Sequence, residues 1–176
     1  FDLMNTVGAN REWGPLHDIA IGKTSVEHLT ELVHYIDVNQ RDAEARTPLY
    51  IAAEHGNSEV ARKLLDFGAN HELADNKGYT PMLIACYYGK IHILKLFHDR
   101  KLSLDDKNVY GQACLDVVYA GLKDGKMNNG IYEQFIELFG SAPKGQAGVW
   151  TVLHDIAYDM KDIANIGMHA KAIGVN

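Results

Sequence analysis

The sequence predicts an all-α fold, a solenoid of stacked helical units forming one domain over residues 1–176. Three observations carry that expectation. Pro15, Pro48 and Pro81 stand 33 residues apart. Leu16, Leu49, Met82 and Leu115 repeat the same spacing one position later. The pentapeptide Leu-His-Asp-Ile-Ala occurs at residues 16–20 and again at 153–157. A fixed period of this length marks a structure built by repetition, in which a unit buries its apolar face only against its neighbours.

The units fall near 13–45, 46–78, 79–111, 112–149 and 150–176, after a lead-in over residues 1–12. In the first, "GPLHDIAIG" opens a short helix that Gly22 ends one place early, and Val26, Leu29, Leu32, Val33 and Ile36 supply the second helix. In the second, Thr47 is placed to cap a helix whose first turn holds Pro48, where a missing N–H is harmless and the fixed φ is already helical. Ala52 and Ala53 are small enough to let neighbouring helices approach. Gly56 ends that helix, and Val60, Leu64 and Leu65 lie on one face of the next. Gly68-Ala69-Asn70 then leads into a turn.

The third unit repeats the plan with Thr80-Pro81, Ala85 and Cys86, then Ile93, Leu94, Leu96 and Phe97. The fourth has Cys114 at the proline position and carries extra residues between its helices. The insertion "KDGKMNNG", residues 123–130, is therefore expected to project from the side of the stack opposite the hairpin tips. In the fifth unit Leu153 arrives 38 residues after Leu115, and Ala164, Ile166, Met168, Ala170 and Ile173 are its second-helix candidates. A chain that opens at Phe1 without an initiator Met, and closes at Asn176 where another turn would begin, is expected to be a fragment of a longer array.

The 33-residue period, with "TPLYIAAEHG" at 47–56 and "TPMLIACYYG" at 80–89, resembles the ankyrin repeat, one hairpin turn and two helices per unit. The resemblance covers residues 13–176. It implies a scaffold or adaptor that binds a protein partner through its hairpin tips and the inner face of its first helices, with no catalytic activity of its own. A second reading is the regulatory or targeting arm of a larger enzyme, channel or pathogen effector.

Composition restricts the partners. There are 17 Lys and Arg against 23 Asp and Glu, a formal charge of −6, and no basic tail, so a nucleic-acid partner is not expected. No apolar run reaches membrane-spanning length, so no membrane insertion is expected. Cys86 and Cys114 are too few for a disulfide scaffold and form no C-x-x-C pair. Cys86 reads as a small buried filler, and a reducing, cytoplasmic setting fits best; delivery into a host cell is left open.

The duplicated His-Asp pair has a structural explanation. His17 and His154 fall at the His of T-P-L-H, which in the family helps fix the turn by hydrogen bonding, and Tyr50, Leu83 and Asp116 replace it in the other units. A metal-dependent phosphohydrolase using His-Asp pairs is the alternative, but several ligands must converge on one ion, and these pairs lie at opposite ends of the stack. "IGKTS", residues 21–25, lacks the earlier glycine of a phosphate loop, since His17 stands there; Thr24 or Ser25 is expected to cap the second helix. The histidines at 28, 34, 55, 71, 92, 98 and 169 show no ligand spacing. Neither a cofactor, a metal nor a small-molecule substrate is expected.

Mapping the family's binding surface places the hairpin tips at residues 41–46, 74–79 and 107–111. The exposed positions of the first helices are Glu54-His55, Tyr87-Tyr88, Ala120-Gly121 and Tyr158-Asp159. Partner-binding candidates are Glu54, His55, Asp75, Tyr79, Tyr87, Tyr88 and Tyr110. Tyrosine offers large contact area and a polar tip at little entropic cost, so it anchors protein partners well. Glu54 and Asp75 favour basic groups on such a partner.

Overall fold

The computed structural model describes residues 13–103 and 106–139, and every regular element among them is a helix. The helices come in pairs: α1 (Pro15–Ala20) with α2 (Glu27–Leu32), α3 (Pro48–His55) with α4 (Ser58–Asp66), α5 (Pro81–Tyr87) with α6 (Ile91–Asp99), and α7 (Cys114–Lys123) with α8 (Asn129–Phe139). By internal packing the chain divides into two units, Phe1–Leu138 and Phe139–Asn176. The lead-in over 1–12 and the fifth predicted repeat, with Leu153, His154, Tyr158-Asp159, His169 and the second-helix candidates, lie outside the described residues.

Each helix opens where the period places it. Thr47 Oγ1 accepts the Tyr50 N–H at 3.1 Å, and Thr80 Oγ1 accepts the Leu83 N–H at 3.3 Å. Gly14 and Ala113 stand at the same position before α1 and α7 and have no hydroxyl to offer. There the side chain three residues on reaches back instead: His17 Nδ1 accepts the Gly14 N–H at 3.3 Å, and Asp116 Oδ2 the Ala113 N–H at 2.9 Å. A reciprocal capping box is thus divided among the units, each using one half of it. Gly56 ends α3 at φ 78°, a left-handed conformation in which a Cβ would be strained.

The first helices pack in chain order, α3 between α1 and α5, and α5 between α3 and α7; behind them α4 packs on α6. Leu16, Ile19, Leu49, Ile51 and Leu83 from the first layer meet Leu29, Leu64, Ile93, Leu94 and Phe97 from the second, all fully buried. Ala52, Ala53 and Ala85 are also fully buried, as close approach of neighbouring helices requires. Leu65 and Leu115 are only partly covered.

The hairpin turns are built by three residues 33 apart that the sequence reading did not group: Asp42, Asp75 and Asn108. Each N–H bonds the carbonyl four residues on, to Arg46 at 3.0 Å, Tyr79 at 3.0 Å and Gln112 at 3.1 Å. Each side-chain Oδ1 accepts the N–H of that same residue, at 2.8, 2.8 and 3.0 Å. Adjacent turns are joined by Asn76 N–H to Glu44 O at 3.0 Å and Val109 N–H to Lys77 O at 3.3 Å. Short side chains that bond their own backbone are what such turns select.

Two expectations are corrected. Cys86 and Cys114 are bonded as a disulfide with Cα atoms 5.7 Å apart, so Cys86 is no lone filler. Stacking α7 on α5 brings the first residue of one beside the penultimate residue of the other. The 123–130 insertion exposes residues 123–126, as a projection would, but not Met127. It begins at the end of α7, which at 10 residues is longer than α3 at 8 or α5 at 7. Met127 then folds inward, buried over Gly89 and Gly121, because a long apolar side chain gains more by covering them than by facing water.

Candidate functional site

His17 is held by the backbone at the start of α1. Its Nδ1 accepts from Gly14 and its Nε2–H donates to the Arg46 carbonyl at 3.0 Å, so both ring nitrogens are engaged by backbone. Burial lowers its pKa, and the Arg46 hydrogen bond opposes that shift only in part. Arg46 in turn lies over the Trp13 ring at 5.1 Å and donates to Asp42 and Glu44. Among the described residues no group of three or more His, Cys, Asp or Glu is arranged to hold a metal, and no helix is long and apolar enough to cross a membrane.

In the "IGKTS" segment it is Ser25 that serves the start of α2, accepting the Glu27 N–H at 3.4 Å and donating to the Glu27 carboxylate at 3.0 Å. The segment is a helix entry.

Of the predicted tyrosines, two lie side by side. Tyr87 and Tyr88, at the end of α5, meet edge to face with ring centroids 5.0 Å apart, and both remain partly exposed. That arrangement sets the positive edge of one ring on the negative face of the other. Lys90 holds its ammonium 5.9 Å from the Tyr88 centroid. Burial, then the charge and hydrogen bond of Glu54, push the Tyr88 hydroxyl up. The Tyr87 hydroxyl donates to Asp124 Oδ2 at 2.6 Å, and that bond, ahead of desolvation, pushes its pKa up to about 12. A strip of Glu54, Tyr88, Tyr87 and Asp124 therefore runs from α3 across α5 to the turn after α7.

The other predicted residues are placed differently. Asp75 is occupied by its own hairpin, and its Oδ2 accepts the hydroxyl of buried Tyr50 at 3.1 Å. Burial and Asp75 together raise the Tyr50 pKa. His55 is exposed but donates from Nδ1 to the Ile51 carbonyl at 3.0 Å within its own helix. Tyr79 is partly buried at the base of the second hairpin. Tyr110, 69% exposed, stands at the third hairpin tip beside Val109, 66% exposed. Sequence reasoning missed Asp124, Lys90 and Tyr50. Tyr50 had a periodic signal, as the residue in the His17 slot.

Comparison with known proteins agrees with this construction. The family model described as Ankyrin repeats (3 copies) matches residues 2–75. An ankyrin repeat protein of Rickettsia bellii is 31% identical over 125 residues, 67% of this chain and 61% of that protein. Potassium channel AKT1 of Oryza sativa subsp. indica is 36% identical over 84 residues, and palmitoyltransferase AKR1 of Saccharomyces cerevisiae 33% over 82. Each of those alignments covers 47% of this chain, but only 9% of the channel and 11% of the transferase. With its paired helices, its turns recurring every 33 residues and these relatives, the chain belongs to the ankyrin repeat family.

Proposed function

We propose that this chain is a protein-binding module whose partner docks on the strip formed by Glu54, Tyr88, Tyr87 and Asp124, with the tips at Tyr79 and Tyr110 extending the contact. The observation that carries this reading is the Tyr87–Tyr88 pair: two rings already packed against each other and held by flanking carboxylates, yet partly open to solvent. Side chains ordered before binding lose little entropy on contact, which is the main cost a docking surface must offset. Carboxylates on both sides of the rings favour Lys or Arg on the partner. Ankyrin repeats are in general non-catalytic interaction modules, which supports a binding role over an enzymatic one.

A second reading is the regulatory or targeting arm of a larger protein. It is supported by the alignments to a channel and a palmitoyltransferase, of which the matching segment is about a tenth.

The test is affinity capture from cell lysate with the intact chain, the double variant Tyr87→Ala, Tyr88→Ala, and Tyr35→Ala as a control, since Tyr35 is 78% exposed on a distant unit. Proteins retained by the intact chain and the control but lost by the double variant support the surface. Equal retention by all three overturns it.

A further inference from the structure

We propose that Cys86 and Cys114 form a thiol–disulfide switch that locks the third unit to the fourth under oxidising conditions and releases it under reducing ones. The two cysteines lie on different first helices, one near the end of α5 and the other at the start of α7. Their Cα separation of 5.7 Å lies inside the span a disulfide accepts without backbone movement. Both are buried, at 0% and 3% exposure, and no other cysteine in the chain competes for either sulfur.

The location gives the bond its consequence. The second and third units open their first helices with Thr-Pro, but the fourth has Ala113-Cys114, lacking both the hydroxyl cap and the proline. Its helix start has only the Asp116 side chain reaching back to the Ala113 N–H, and the covalent link acts at that helix's first residue. Cys114 thus adds a tertiary tie to that local cap. The same α5–α7 contact carries the close approach of Gly121 to the Tyr87 carbonyl and the Tyr87–Asp124 hydrogen bond. Loss of the link loosens both.

Reduction proceeds by attack of an external thiolate on one sulfur, breaking the S–S bond and forming a mixed disulfide while the second protein sulfur leaves as thiolate. The other thiol of a small dithiol then displaces the first protein sulfur. Two electrons and two protons pass to the protein, and the dithiol ends as its own disulfide. The reverse step uses a low-molecular-weight disulfide as oxidant. Because both sulfurs are buried, exchange requires local opening of α7 from α5, so it is slow in the native protein and faster near the melting transition. The switch touches the Tyr87–Asp124 bond of the docking strip but holds whether or not that strip binds a partner.

The test uses the full chain equilibrated with oxidised glutathione or with dithiothreitol at one pH, then unfolded and alkylated for mass spectrometry. The oxidised sample should carry no alkyl groups and the reduced sample two. Closing a loop of 28 residues restricts the unfolded chain, so reduction should lower the melting temperature by roughly 10 °C. Hydrogen exchange should rise in α5, α7 and α8 with little change in α1–α4. Cys114→Ala should melt identically in both buffers. Alkylation of both cysteines after oxidation, or one melting temperature for both wild-type states, overturns the proposal; the wild-type comparison decides it even if the variant does not fold.

Discussion

The Tyr87 hydroxyl donates to Asp124 across 2.6 Å, so a residue of the fourth unit's insertion fixes a side chain on the exposed face of the third. An insertion that the repeat pattern treats as an interruption therefore helps shape the candidate surface. The same bond has a measurable acid-base signature.

Tyr87 is held up to about 12 in the folded chain against 10.0 ordinarily, chiefly by Asp124. The unfolded chain loses this proton first, so the associated stability is intact below pH 10 and is lost as pH climbs toward 12. Asp124→Asn removes the charge that favours the protonated form, and Tyr87 should then titrate closer to its ordinary value. Absorbance titration of tyrosinate checks this. An unchanged titration curve in Asp124→Asn would show that the bond does not persist in solution.

His17 gives the opposite pH dependence. Its pKa is lowered from 6.5 by burial. As pH falls below that value the unfolded chain takes up the proton first, so stability declines on acidification down to the depressed folded pKa. Melting temperatures between pH 7 and 5 should fall more steeply for the wild type than for His17→Gln, which does not titrate. Parallel slopes would refute the assignment of that acid sensitivity to His17.

Leu49 and Leu64 are fully buried on α3 and α4. Leu49→Ala or Leu64→Ala should each cost roughly 2–5 kcal/mol in denaturant unfolding, through lost burial and the cavity left behind. Neighbouring units share this interface, so the loss should also raise hydrogen exchange in α1 and α5.

Gly121 has no room for a side chain: a Cβ there would run into the Tyr87 carbonyl oxygen, which is backbone and cannot swing aside. Despite alanine's better helix propensity, Gly121→Ala should destabilise by roughly 1–3 kcal/mol. Thermal melts check the sign. Stabilisation would mean that α7 and α5 are farther apart in solution.

Much of the fold was legible because ankyrin units repeat their local chemistry as well as their apolar faces. Thr47 and Thr80 cap where the period puts them, Gly56 ends its helix, and the apolar positions of α3 to α6 are covered nearly as expected. The turn residues Asp42, Asp75 and Asn108 keep the same period. They passed unnoticed because the last is an amide, although its Oδ1 accepts the same hydrogen bond as a carboxylate.

The binding candidates were less legible. Sequence placed Tyr87 and Tyr88 on the exposed end of a first helix, and there they are. It could not assign Asp75 to its own hairpin, because a carboxylate that folds a turn and one that greets a partner look alike in sequence.

The sequence by itself determined what depends on neighbours along the chain: the 33-residue unit, helix starts and stops, and the alternation of small and apolar residues that makes stacking possible. Tertiary structure alone decided what depends on distance in space: the Cys86–Cys114 bond across 28 residues, the Tyr87–Asp124 bond across 37, and the inward turn of Met127. None of these pairs shares a register in the repeat. They meet because each unit's first helix lies against the next, and stacking converts a separation of about one repeat along the chain into direct contact.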